Sequence, residues 1–138
     1  MCKLIKQYGP LLGRILLSLI FIIAGFNKIN GFENTAGYMA AKGLPMSEVL
    51  LVLSIIIELG GGLSILVGWQ ARWAATAIFL FIIPVTFVFH PFWTFEGQEA
   101  MHQYHNFMKN LAIMGGMMYI MVHGSGALSL DKNSETKC

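Results

Sequence analysis

Glu58 is the residue whose position asks for chemistry. It lies in "VLSIIIELGGGLSILVG", a run otherwise made of aliphatic residues, glycine and two serines. A charged side chain at the centre of a bilayer costs about 2.5–3.5 kcal/mol on insertion scales. Something must offset that cost or use it. Glu58 is expected about 13 Å from one end of its run at about 1.5 Å per residue. Arg14, about one turn into its own apolar run from the same side, could cover much of the gap, so an Arg14–Glu58 pair is the first expectation. The alternative is a protonated, neutral Glu58, the form favoured when a buried carboxyl has no cation nearby. A purely structural buried pair stabilises little, because desolvation consumes most of the Coulomb gain. Glu58 is therefore the candidate catalytic residue, a proton relay, and Arg14 a candidate ligand-binding residue.

A second group gathers toward the opposite ends of the runs. Asn27, Lys28, His90, Asn106, Lys109 and Asn110 are expected within about two turns of one boundary. They could form a polar vestibule leading to Glu58, with Lys28, His90, Asn106, Lys109 and Asn110 as ligand-binding candidates. The plainer alternatives are snorkelling of Lys28 and Lys109 to lipid head groups and a helix-capping role for His90. A third pattern, Glu99-x-x-His102-x-x-His105 with Glu96 before it, offers metal-capable side chains. Di-metal carboxylate sites draw such motifs from paired helices; one copy makes Glu99, His102 and His105 weak metal candidates, and no metal site is expected.

These residues need elements to hold them. Of 138 residues, 56% are hydrophobic and 12% charged, about half the charged share of a soluble domain. Four segments are long enough to span a bilayer core, which takes about 20 apolar residues per helix: 11–29, 47–67, 72–90 and 106–123. The expected fold is all-α, a single domain over 1–138 forming a four-helix transmembrane bundle. Pro10, Gly31, Pro45, Gly68 and Pro91 punctuate the spans, and Pro84 should kink the third. Residues 31–44 place Phe32, Ala36, Met39 and Ala40 at helical spacing, which predicts a short amphipathic interfacial helix between spans one and two. Residues 91–105 carry Phe92, Trp93, Phe95 and Tyr104 and read as a connection with an aromatic belt.

Inside the spans, four stripes are expected to face one another: Arg14, Ser18, Phe21, Gly25 and Lys28; Ser54, Glu58, Gly61 and Gly62; Thr76, Phe79, Ile83, Thr86 and His90; Asn106, Lys109, Asn110 and Ile113. Much of this could be packing, since small and polar residues mark membrane helix interfaces. Lysine and arginine fall six on the side of the termini (Lys3, Lys6, Arg14, Arg72, Lys132, Lys137) and three opposite (Lys28, Lys42, Lys109). The positive-inside rule then places both termini in the cytoplasm. Net charge is +2 with no basic run, so no nucleic-acid partner is expected. The cysteines, Cys2 and Cys138, form no C-x-x-C, which excludes a thiol redox motif and an attached c-type haem. The first run reads as an uncleaved span, because Arg14 interrupts it and no small-residue cleavage site follows.

"GRILLSLIFIIAGFNKI", "ELGGGLSILVGWQAR", "KNLAIMGGMM" and "GSGALSLD", in that order over roughly residues 9–131, resemble the DoxX family of small bacterial inner-membrane proteins. The resemblance implies a multi-pass inner-membrane bundle. It matches the family's span-one arginine to Arg14, its Gly-x-x-Lys to Gly25–Lys28, its span-two glutamate to Glu58 and its Lys-Asn to Lys109-Asn110. Related members include a subunit of a thiosulfate-oxidising, quinone-reducing enzyme, and others associate with redox enzymes. The leading expectation is thus a subunit of a quinone-linked membrane oxidoreductase, with quinone as a non-covalent cofactor and a partner redox protein, or a homo-oligomer, in the bilayer. The chain carries no flavin, haem or iron–sulfur motif, so electrons would have to come from the partner. The alternatives are a non-catalytic binding or transport module for a small anion or lipid head group, using Lys28, His90 and Lys109, and a scaffold for other membrane proteins.

Overall fold

The computed structural model describes residues 1–131. Lys132, Lys137 and Cys138, which enter the charge count and the cysteine reading, lie outside them. The described residues form five helices and no strand: α1 (Cys2–Asn30), α2 (Phe32–Ala41), α3 (Ser47–Val67), α4 (Ala71–Phe89) and α5 (Gly97–His123). By length and composition, α1, α3 and α4 are able to cross a membrane. Helix α5 is as long as they are, but Asn106, Lys109 and Asn110 dilute its apolar stretch.

The helix ends differ from the punctuation expected at two places. Pro10 lies inside α1, which begins at Cys2, so Pro10 does not open the helix. Residues 91–105, expected to be a connection, are mostly helical: after a 3₁₀ turn at Phe92–Thr94, α5 starts at Gly97. The aromatic residues there form a cluster around Phe92, which meets Trp93, Tyr104 and Phe107 edge-on at centroid distances of 5.2, 5.2 and 5.3 Å. Such tilted arrangements match ring quadrupoles.

Gly68 closes α3 in the left-handed region (φ 70°), with its N–H donating to the Ile65 carbonyl and Trp69 N–H to that of Ser64, a Schellman closure that favours glycine. The short turn makes α3 and α4 antiparallel neighbours. Helix α5 packs most extensively on α4, and α1 on α3. The main core joins Phe21, Ile65, Ala71, Ala75, Ile78, Ile82, Met117 and Ile120. A second cluster, Ala36, Met39 and Leu51, seats α2 across α3. The amphipathic reading of α2 holds at Ala36 and Met39, whereas Ala40 is exposed.

The inward stripe of α1 is as read: Arg14, Ser18, Phe21 and Gly25 are buried. That of α4 is rotated by about one residue. Its buried positions are Ala71, Ala75, Ile78, Ile82 and Thr86, with Ile83 exposed. The expected stripe begins at Thr76. That hydroxyl donates to its own helix, at the Arg72 carbonyl 2.8 Å away, and needs no interior partner.

Candidate functional site

The buried charges fall into two separate constructions, one at each end of the helices. At the end shared by Pro10, Gly68 and residues 124–131, Arg14 is almost fully buried. Its guanidinium donates to the carbonyls of Ile65 (3.4 Å), Leu66 (3.2 Å) and Leu128 (2.7 Å). The first two belong to the last turn of α3, where carbonyls lack helical partners and the helix dipole is negative. A side chain at Gly68 would run into this guanidinium. The segment "GSGALSLD" folds beneath: Asp131 accepts from the N–H groups of Gln70 (2.7 Å) and Ala71 (3.1 Å) at the start of α4. Leu130 and Asp131 donate their N–H groups to Val67 and Gly68.

Arg14 is therefore not the partner of Glu58. The glutamate meets Lys28 instead, whose Nζ lies 3.0 and 2.8 Å from Oε1 and Oε2. The antiparallel course of α1 and α3 explains the exchange. Residue 14 of α1 lies level with the end of α3 at Gly68, roughly 15 Å of helix from Glu58, beyond an arginine's reach. Lys28, three turns and more further along α1, comes level with the carboxylate, so its amine turns into the protein instead of snorkelling outward. Gly25 sets the approach: a Cβ there would lie 2.5 Å from the Leu59 side chain. The Glu58 side chain is 8% exposed and that of Lys28 26%.

Glu58 sits in a π-helical turn, Ile56–Gly60, inside α3. Such turns interrupt α-helical hydrogen bonding and recur at functional sites. The glycine run that follows was the only trace of it in the sequence. Beside the ion pair opens a cleft of about 500 Å³ between α1, α2, α3 and α4. Its walls are mainly apolar, including Tyr38, Leu53, Phe81 and Phe89, with Lys28, Ser54, Glu58 and His90 among its polar groups. Ser54 Oγ donates to its own helix at Leu51 (2.8 Å).

His90, just beyond α4, lines this cleft, and its Nδ1 lies 2.8 Å from Gln103 Oε1. Gln103 in turn donates from Nε2 to Glu99 Oε1 at 2.7 Å. The remaining vestibule candidates do not join. Lys109 is exposed and donates to Asn106 Oδ1 one turn away (2.9 Å). Asn110 is buried between α4 and α5, where its Nδ2 donates to Thr86 Oγ1 at 3.0 Å, and Thr86 donates to Ile82 O. The expected six-residue vestibule thus becomes Lys28 and His90 around Glu58. Its other members failed because boundary depth alone does not fix which way a side chain faces. Gln103 was missed; its one signal was the i, i+4 spacing from Glu99. Glu99, His102 and His105 do not converge, and among the described residues no three metal-capable side chains gather.

Comparison with known proteins identifies the family. The DoxX family model matches residues 9–91, which includes Arg14, Lys28, Glu58 and His90. The chain is 39% identical over 130 residues to the inner membrane protein YqjF of Escherichia coli, covering 94% of this chain and 95% of that protein. It is 33% identical over 122 residues to the E. coli inner membrane protein YphA, covering 88% and 87%. A fainter likeness, 22% over 132 residues, reaches a Surfeit locus protein 4 homolog of Schizosaccharomyces pombe, of which this chain spans 39%. No solved structure matches. With the family model spanning more than half the chain and two full-length relatives above 30% identity, this chain is an integral membrane protein of the DoxX family.

Proposed function

We propose that this protein is a four-span inner-membrane subunit that holds the head group of an isoprenoid quinone in the Lys28–Glu58 cleft, as part of a quinone-linked oxidoreductase. The single observation that carries the reading is the placing of one ion pair at the wall of a mainly apolar cleft of about 500 Å³. That volume falls within the range of small-molecule sites, about 300–1,000 Å³. The lining matches a ligand with an apolar body and a polar head. Helix α5 is the fourth span, its polar positions turned partly to α4 through Asn110 and Thr86. Both termini lie on the cytoplasmic side.

A bound quinone would supply the redox chemistry, and electrons would come from a partner protein. The chain's own part is to bind and to handle protons. Lys28 Nζ donates to a ligand oxygen, and Glu58, already held by that amine, accepts or returns a proton. The polar group is reached through a mainly apolar lining.

The alternative, a non-catalytic module for a small anion or lipid head group using Lys28, His90 and Lys109, has less support: Lys109 donates to Asn106 away from the cleft, and Lys28 is paired with Glu58. The test is purification in mild detergent, with mass spectrometry of bound small molecules and accompanying proteins, followed by titration with a short-chain ubiquinone. Wild type should retain or bind quinone, and Glu58→Gln should lose at least about tenfold in affinity, the effect of about 1.4 kcal/mol, while still folding. A wild-type protein that carries no quinone and binds none sinks the proposal; retained partners with an inert Glu58→Gln would mark a scaffold instead.

A further inference from the structure

The chain Glu99–Gln103–His90 carries an assignment that hydrogen positions alone do not reveal. A histidine tautomer and an amide orientation are normally inferred, not seen. Here chemistry fixes both. Glu99 is exposed, and a glutamate carboxylate can only accept. The Gln103 atom 2.7 Å from Glu99 Oε1 must therefore be its NH₂ group. That turns the Gln103 carbonyl oxygen, an acceptor only, to His90 Nδ1 at 2.8 Å. Nδ1 must carry the proton. In neutral His90 the other nitrogen, Nε2, is then a bare acceptor, and it makes no hydrogen bond among the described residues. His90 lines the cleft.

We propose that Gln103, oriented by Glu99, locks His90 in its Nδ1–H tautomer, so that Nε2 offers the cleft an acceptor and the site prefers the hydroxylic, reduced form of its ligand over the carbonyl form. This rests on the quinone-type reading of the cleft. The two polar ends of the cleft then differ in what they tolerate. Lys28 and Glu58 together present a donor and an acceptor and can serve a carbonyl or a hydroxyl. Nε2 serves a hydroxyl alone, because a carbonyl oxygen facing it would set lone pair against lone pair and leave both unsatisfied. Gln103 is a positioning residue in this scheme and Glu99 its support; neither touches the ligand.

The experiment has two independent readouts. The first is ¹⁵N NMR of the histidine rings in the full chain in detergent, at a pH well above the ordinary imidazole value of about 6.5. The His90 ring, assigned by its loss in His90→Gln, should show a protonated Nδ1 and a bare Nε2. Gln103→Leu should move the proton to Nε2, whereas Gln103→Glu, which keeps an acceptor at that place, should leave it on Nδ1. The second is anaerobic titration with a short-chain ubiquinol and with the matching ubiquinone. Wild type should bind the quinol about tenfold more tightly, the worth of roughly one neutral hydrogen bond. Gln103→Leu should erase that preference and Gln103→Glu should retain it. A wild-type His90 protonated at Nε2, or a preference unchanged by Gln103→Leu, overturns the inference. If Nδ1 is protonated as expected and neither ligand form binds, the tautomer lock stands, the stated ligand preference is overturned, and the quinone reading of the cleft falls with it.

Discussion

The two ends of this helix bundle each bury a charged group, and they treat it in opposite ways. Around Arg14 every hydrogen-bond acceptor among the described residues is backbone: three carbonyls receive the guanidinium, and the segment 124–131 closes the space beneath. Only Nε is left without a partner among the described residues. Around Glu58 there is one partner, Lys28, then a π-helical turn and a cleft. The first arrangement commits both terminal nitrogens of the guanidinium to fixed backbone acceptors. The second leaves polar capacity over, because an ammonium has three donors and Lys28 directs its described hydrogen bonds at one carboxylate. Buried charge in a membrane protein is thus a question with two answers, and the number of fixed protein partners separates them.

The sharpest way to break this contrast is Arg14→Ala. It strips three carbonyls of a charged donor, and each such bond is worth about 1.5–3 kcal/mol. We expect a loss on the order of 3 kcal/mol or more, read as a large fall in the melting temperature in detergent. Arg14→Lys should recover only part, since a point ammonium cannot fan across three acceptors as a planar guanidinium does. Ligand affinity per folded molecule should be unchanged, which confines Arg14 to structure. A ligand affinity that falls with Arg14→Lys while folding persists would merge the two ends into one site.

Lys28→Met comes next. Removing one member of a buried pair costs about 3–5 kcal/mol, and the partial exposure of Lys28 reduces this to about 2. The double variant with Glu58→Gln removes the orphaned charge and should return to within about 1 kcal/mol of wild type, a coupling that a double-mutant cycle measures directly. Binding should remain lost in the double variant. Stability and function therefore separate at the cleft end and not at the other.

How far this contrast was legible in the sequence depends on the kind of evidence each residue left. The inward face of α1 followed from spacing alone, because Arg14, Ser18, Phe21 and Gly25 repeat at helical intervals within an apolar run. The pairing of Glu58 did not. It depends on the relative height of two antiparallel helices, which composition leaves open, and both cations lay at plausible depth. The face of α4 was misjudged because Thr76 and Thr86 look alike in sequence, yet one satisfies its hydroxyl within its helix alone while the other also accepts from Asn110. The π-turn and the Glu99–Gln103–His90 chain left almost no mark beyond a glycine run and one i, i+4 spacing. The capping role of "GSGALSLD" was hidden too, since nothing in a short polar tail says which helix ends it will reach.

Asp131→Ala tests that cap at lower cost. Losing a carboxylate that accepts from two N–H groups at the start of α4 should remove about 1 kcal/mol, the usual worth of an N-terminal cap. The melting temperature should fall modestly, with no change in binding. A comparable fall for Asp131→Asn would show that the oxygen acceptor is insufficient and that charge at the helix start carries the effect.

Asn110 supplies the finest discrimination, because it lies at the cleft end by depth but at neither charge. Its amide is buried and bound to Thr86 between α4 and α5. If partner saturation rather than depth marks a functional group, Asn110 belongs with Arg14 and not with Lys28. Interhelical hydrogen bonds of this kind average about 0.6 kcal/mol in membrane proteins, because the unfolded-in-membrane chain also finds partners. Asn110→Ala should therefore cost only that much, with Thr86 still donating to Ile82, and the quinol and quinone affinities should both stay at wild-type values. A tenfold loss of affinity from this substitution, at unchanged melting temperature, would mean that depth had been the better guide, and that the site extends across α4 to the last helix.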